Sequence, residues 1–229
     1  MLVASVLGAC CPYGPHRARG NLLEGGSARA TASSNAGRRL SASACERRLD
    51  TLGVVYRRYR GDRADGVRRP IIVEGAVGDV MVRGRWGDEV HSVVDCRLVL
   101  ALHDWAPILR RAGVREIQYF SMLRPGARVA RTGRRSGHAS ALAIDVGWFI
   151  LNDGEELSVL DDWDDRDRGE APCEGRHREG RGSALMRSTV CQAAEAGLFQ
   201  VMITPHHDHA HRNHLHLEVQ PDARGVWLR

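Results

Sequence analysis

A histidine and a carboxylate seven positions apart open the chemistry of this chain: His138 and Asp145 in the phrase S-G-H-A-S-A-L-A-I-D-V. Three further histidines follow near its end, His211, His214 and His216 in H-R-N-H-L-H-L-E-V. Imidazole nitrogen and carboxylate oxygen are the ligands of a catalytic zinc, which takes three from protein and keeps a fourth position open. His138, Asp145 and His216 supply such a set, so Zn2+ is the expected cofactor. Any one of these residues alone would be an ordinary polar side chain; the combination carries the reading. His177, His206, His207 and His209 lack comparable support and read as a solvated histidine-rich loop.

The elements that must position these groups are legible from periodicity. Ala143 to Ile150 is apolar and β-branched and predicts a strand carrying Asp145. Asn152-Asp153-Gly154 predicts a turn, with Glu155 to Leu160 returning as the second arm of a hairpin. His214 to Val219 alternates, so His214, His216 and Glu218 share one strand face while Leu215, Leu217 and Val219 face the core. Glu218 could then orient a ligand from behind, or be a plain exposed strand residue. Upstream, Cys45 to Leu52 predicts a short helix, and Ile71 to Val73 and Asp79 to Val82 predict short strands. Val94 to Arg111 has the apolar spacing of an amphipathic helix, and Val114 to Met122 predicts a strand. A helix capped by Ser183 should run to about Ala196, followed by a strand over Phe199 to Thr204. Mixed helices and hairpin returns imply an α+β fold: a small antiparallel sheet carrying the zinc site, flanked by helices.

Length and composition bound the rest. The 229 residues suffice for one substantial domain, and 43% hydrophobic content supports a core. No run of 18 apolar residues exists to span a bilayer. A net charge of +5 and 5% aromatic residues do not make the basic, aromatic-interleaved surface of a nucleic-acid binder; the charge favours weak attraction to anionic polymers or headgroups. Of the six cysteines, Cys10, Cys11, Cys45, Cys96, Cys173 and Cys191, none forms a C-x-x-C pair. The four in the body of the chain suit disulfides in an oxidising compartment, with reduced, buried thiols as the alternative. Residues 1–43 read as a truncated signal or lipoprotein-like leader and a flexible linker. Leu7-Gly8-Ala9-Cys10 resembles a lipobox, making Cys10 a lipidation candidate that would anchor the chain to a membrane, although the positive n-region is missing. Residues 44–229 read as one domain, expected to be monomeric and extracytoplasmic, in the periplasm or cell envelope.

The spacing H-x6-D followed late by H-x-H resembles the group that unites lysostaphin-type peptidases, D-Ala-D-Ala metallopeptidases (M15-like) and the hedgehog signalling domain. More closely, the chain resembles the bacterial extensin-like C-terminal domain family. The match rests on Cys45 with Leu49 and Gly53-Val54, on Cys96 opening a helix that carries Trp105, and on the H-x6-D phrase. W-F-I-L-N-D-G-E-E-L-S-V-L-D-D-W and T-P-H-H-D-H-A-H-R-N-H-L-H-L-E complete it. Gly137 departs from the family's usual Glu, and Ser121-Met122-Leu123-Arg124 lacks a cysteine the family has. Against that pattern Cys45 would partner Cys96 and Cys173 would partner Cys191, one of three connectivities open to four cysteines.

The resemblance implies a zinc peptidase that hydrolyses D-Ala-containing peptidoglycan peptides, as carboxypeptidase or endopeptidase. Many D-Ala-D-Ala metallopeptidases use a Glu three positions before the last ligand as base; Asn213 stands there and cannot serve. Murein endopeptidases of the group have histidines instead, which assigns His214 as base or transition-state stabiliser and His211 as its support. Arg124, with Ser121, would hold substrate carboxylate or carbonyl groups, a task that suits the planar guanidinium fork. The alternative is a zinc-stabilised cell-wall binding module without catalysis, since one fold serves many functions.

Overall fold

The computed structural model describes residues 37–164, 172–174 and 180–229. Cys10, His177 and the leader preceding residue 37 lie outside them. Helix α1 (Ala42–Thr51) starts where the Ser41 hydroxyl accepts from the Ala44 N–H, three residues ahead of the expected start. Strands β1 (Tyr56–Arg58) and β2 (Ile71–Val73) pair antiparallel as a separate two-stranded sheet. β3 (Ala76–Val77) and β4 (Val80–Gly84) form a tight hairpin. Helix α2 (Cys96–Arg111) is capped by Asp95, whose carboxylate accepts from the Arg97 N–H. It leads into β5 (Val114–Tyr119), β6 (Ala143–Leu151) and β7 (Glu156–Ser158). Then follow a short helix α3 (Val159–Asp162), helix α4 (Arg181–Glu195) and strands β8 (Val201–Ile203), β9 (Leu215–Glu218) and β10 (Trp227–Leu228). The fold is α+β, with four helices among the described residues.

The main sheet is larger and less uniform than expected. Eight strands run in the order β10-β8-β9-β6-β5-β4-β3, with β7 beside β6. The β4–β5 and β10–β8 pairs are parallel, which corrects the expectation of a small antiparallel sheet. The cause is the α2 crossover: sixteen helical residues carry the chain from the end of β4 back to the same edge, as parallel pairing requires. Two boundaries also differ. Strand β7 stops at Ser158 because its hydroxyl accepts from Leu160 N–H while Asp162 accepts from Ser158 N–H, which winds α3 where a strand was expected. Ser183 does not cap α4; it is buried inside the helix and its hydroxyl accepts from Asp164 N–H.

The helices cover one face of the sheet. Trp105 of α2 is fully buried, edge-on to Phe149 and Phe199 at 6.2 and 5.8 Å, and donates to the Thr189 carbonyl of α4. Leu215, Leu217 and Val219 point into this core as the alternation predicted. A smaller, separate cluster includes Val90, Val93, Leu123 and Ala141. Disulfides join Cys45 to Cys96, tying α1 to the start of α2, and Cys173 to Cys191 of α4. Paired rather than reduced cysteines point to an oxidising, extracytoplasmic compartment. No helix of the described residues is long and apolar enough to cross a membrane.

Candidate metal centre

Three elements bring the sequence-selected groups to one point on the sheet face turned away from the main core. Asp145 on β6 and His216 on β9 are register partners in an antiparallel ladder. His138 sits on a short 3-10 turn, Gly137–Ser140, where the His138 N–H donates to the Ser136 hydroxyl and the Ala139 N–H to the Ser136 carbonyl, and which ends at Ala141 in a left-handed conformation (φ 53°). Phe120 and Ser121 bracket Asp145 through their main chain: Phe120 N–H donates to the Asp145 carbonyl, and Asp145 N–H to the Ser121 carbonyl. The carboxylate therefore sits on a backbone pinned from both sides.

The ligand atoms converge closely. His138 Nε2 lies 3.0 Å from Asp145 Oδ1 and 3.1 Å from His216 Nδ1, and the latter is 3.1 Å from the same Oδ1. Four-coordinate zinc with bonds near 2.0–2.2 Å separates its ligand atoms by about 3.3 Å, so the triangle is close to the required size. The outer hydrogen bonds decide which atoms bear protons. His138 Nδ1 faces the Met122 carbonyl at 2.9 Å, and a carbonyl only accepts, so this nitrogen carries the hydrogen. His216 Nε2 likewise donates to Glu218 at 3.3 Å. Both inner nitrogens then present bare lone pairs to a carboxylate oxygen. Three acceptors 3 Å apart repel one another unless a positive charge lies among them, and outer partners that fix the tautomer are what metal-binding histidines use. The residues fit a zinc ion.

The electrostatics express the same demand. Asp145 is held well below the carboxylate range: burial opposes its charge, but His138 and His216 outweigh that. His216 is pushed up to about 9, because its hydrogen bonds to Asp145 and Glu218 prevail over burial. His138 is lowered, chiefly by complete burial. The cage calls for one positive charge, and a proton on His216 and a metal ion are two ways to supply it.

Around the triad stand the other named residues. His214 Nε2 is 3.6 Å from Asp145 Oδ1, and its Nδ1 donates to Asn213 Oδ1 at 2.9 Å. Burial lowers its pKa to about 4, so it is neutral at physiological pH. The His211 ring lies 5.1 Å from the His214 ring, tilted by 49°, and donates from Nδ1 to Asp208 at 2.7 Å. Arg124 reaches the second oxygen of Asp145 at 3.3 Å while remaining half exposed. Ser121 is buried and contributes its carbonyl to the Asp145 backbone. His207 and His209 are exposed, as expected, but His206 is buried against Trp163 rather than solvated, because the turn after β8 folds inward. Sequence reasoning missed Asp208, although its spacing of three from His211 was available as a signal. It also missed the Met122 carbonyl, which has no side-chain signature.

The chain matches the family described as Extensin-like protein C-terminus over residues 43–227 and belongs to it. No curated protein and no solved structure gives a significant match.

Proposed function

We propose that this extensin-like domain is a zinc-dependent peptidase of the bacterial cell envelope, hydrolysing D-Ala-containing peptides of peptidoglycan. The observation that carries the reading is the convergence of His138 Nε2, Asp145 Oδ1 and His216 Nδ1, each inner nitrogen bared by an outer hydrogen bond. The H-x6-D and H-x-H spacing, which resembles that of the D-Ala-D-Ala metallopeptidases, supports the substrate class. Zinc held by these three residues would supply Lewis acidity toward a peptide carbonyl and lower the pKa of water.

The remaining steps fall to the chain's own groups. His214, neutral and with Nε2 turned toward the triad, accepts the proton released by attacking water. His214 then returns that proton to the leaving amine, while His211, its Nδ1–H held by Asp208, keeps the His214 ring in position beside the site. The exposed half of Arg124 offers guanidinium donors to a substrate carboxylate while its inner N–H keeps Asp145 in place.

The test is mass spectrometry of muropeptides after incubation with the purified, zinc-loaded chain beside a His216→Ala control. Products made only by the zinc-loaded wild type establish a peptidase, and their masses identify the bond. No products from several peptidoglycan types, with zinc shown to be bound, would leave the site as that of a binding module.

A further inference from the structure

Beside the metal centre lies an aromatic surface that the peptidase reading does not use. Trp86, Phe120 and Trp148 pack with ring centroids 4.7–5.3 Å apart. They come from three places: the loop after β4, the residue that follows β5 and the middle of β6. A β-bulge brings the last two to the site face. Gln118 pairs with Trp148 but Tyr119 with Val146, so Gly147 is the extra residue. Strict alternation would put Trp148 on the face opposite Asp145. The bulge resets the pleat: Val146 and Phe149 are both buried in the core, and Asp145 and Trp148 share the other side. A Cβ on Gly147 would lie 2.5 Å from Phe120 Cε2, so glycine makes room for that ring.

Trp86 leaves 55% of its surface exposed at the outer end. At the inner end, Phe120 meets the His214 ring at 5.8 Å. The Arg85 guanidinium lies over one face of the Trp148 ring, 4.7 Å from its centre, and donates to Gln118 Oε1 at 2.6 Å and to Glu156 at 2.9 and 3.1 Å, which sets polar groups beside the exposed Trp86.

We infer that this platform seats a sugar ring of a glycan strand whose peptide branch reaches the metal centre. The identity of the glycan rests on the peptidoglycan reading above; the choice of a sugar rests on the surface itself. A pyranose has a face of C–H groups that matches the electron-rich face of an aromatic ring, and hydroxyls around its edge that match Arg85, Gln118 and Glu156. An apolar peptide side chain calls for a concave pocket, and rings this closely packed leave no slot between them. A nucleic-acid strand calls for free cations along its phosphates, whereas Arg85 is paired with Glu156. Trp86 is exposed and Phe120 and Trp148 are partly so, and contiguous apolar surface of this kind marks an interaction site. Trp148 is three residues along β6 from Asp145, roughly 10 Å, a gap that an extended peptide spans in about three residues.

Isothermal titration of the full chain with chitotetraose, with peptide-stripped glycan strands and with free stem pentapeptide tests the inference. The glycans bind the wild type; Trp86→Ala weakens them at least tenfold and Trp86→Phe restores most of the loss, with zinc content unchanged throughout. His216→Ala loses zinc but keeps glycan binding, so the platform stands even if no muropeptide is ever cleaved. Glycan binding that is absent in the wild type, or equal in Trp86→Ala, overturns the inference. Cleavage of free stem peptide by a wild type that binds no glycan does so while leaving the peptidase reading intact.

Discussion

Asp145 and His216 face each other directly across the β6–β9 ladder, their ligand atoms 3.1 Å apart, and neither can move without the strand that carries it. The ligand set is therefore part of the sheet, and only His138 arrives from a loop. Zinc binding should thus be stoichiometric and cooperative among the three. Plasma emission spectrometry is expected to find one zinc per wild-type chain and less than a tenth of that in His138→Ala, Asp145→Ala or His216→Ala. Zinc at a hundredfold excess over its dissociation constant should raise wild-type stability by about 2.7 kcal/mol and leave the variants unmoved in a thermal melt.

Gly137 lies against Glu218 so closely that a Cβ there would overlap the Glu218 side chain. The carboxylate is flexible enough to swing aside, but doing so removes the partner of His216 Nε2. Gly137→Ala should consequently fold normally and bind zinc about 10–100-fold more weakly, with Glu218→Gln closer to wild type. Competition with a chromogenic chelator measures both; equal affinity in Gly137→Ala and wild type would remove Glu218 as a positioning residue.

Asp208 orients His211 without touching the triad. If His211 works in peptide hydrolysis, His211→Ala should lower kcat on muropeptides by about 100-fold, and Asp208→Asn by a smaller factor, with KM and zinc content retained. A loss confined to KM would place the pair in substrate binding instead.

Away from the site, buried Glu46 receives both Arg58 and Arg69 at 2.7 and 2.6 Å. Burial opposes its charge, but these arginines hold its carboxyl below the usual value. A depressed folded-state pKa gives stability that is present above the unfolded carboxylate range, near 4.3, and lost as pH falls through it. Denaturant unfolding should show wild type losing part of its advantage over Glu46→Gln between about pH 5 and pH 3. At neutral pH the variant should be about 1–2 kcal/mol less stable, a figure discounted for the exposure of both arginines.

The Cys45–Cys96 and Cys173–Cys191 bridges close loops of 51 and 18 residues. Chain-entropy reasoning assigns about 4 and 3 kcal/mol to them. Non-reducing peptide mapping should recover both pairs, and Cys45→Ala/Cys96→Ala should lower the denaturation midpoint more than Cys173→Ala/Cys191→Ala.

Much of this was legible from residue types alone. The alternation His214 to Val219 gave the correct faces of β9, because a core on one side imposes a two-residue period, and the continuous apolar run from Ala143 gave β6, which is buried along nearly its whole length. The three ligand candidates stood out because their chemistry is rare in combination. What escaped depends on distant partners. The parallel β4–β5 pairing follows from where α2 docks, and nothing in the strands encodes it. The Met122 carbonyl that sets the His138 tautomer has no side-chain identity. Trp148 sits on an even-numbered step from Val146, so alternation assigns it to the core until the extra residue at Gly147 is known. Asp208 was visible as a spacing but looked like one more polar residue in a histidine-rich loop.

Gly147 is the one unpaired residue of β6, and the strand absorbs an odd count only there. Adding one residue after Trp148 would leave composition almost untouched, yet everything beyond it would turn over like the second half of a zip fastened one tooth out. Phe149 would be driven outward, while Asp145 and Trp148 kept their places. For this strand, a shift in counting is more damaging than nearly any exchange of side chain, and families that vary here should vary by substitution while holding the number of residues fixed.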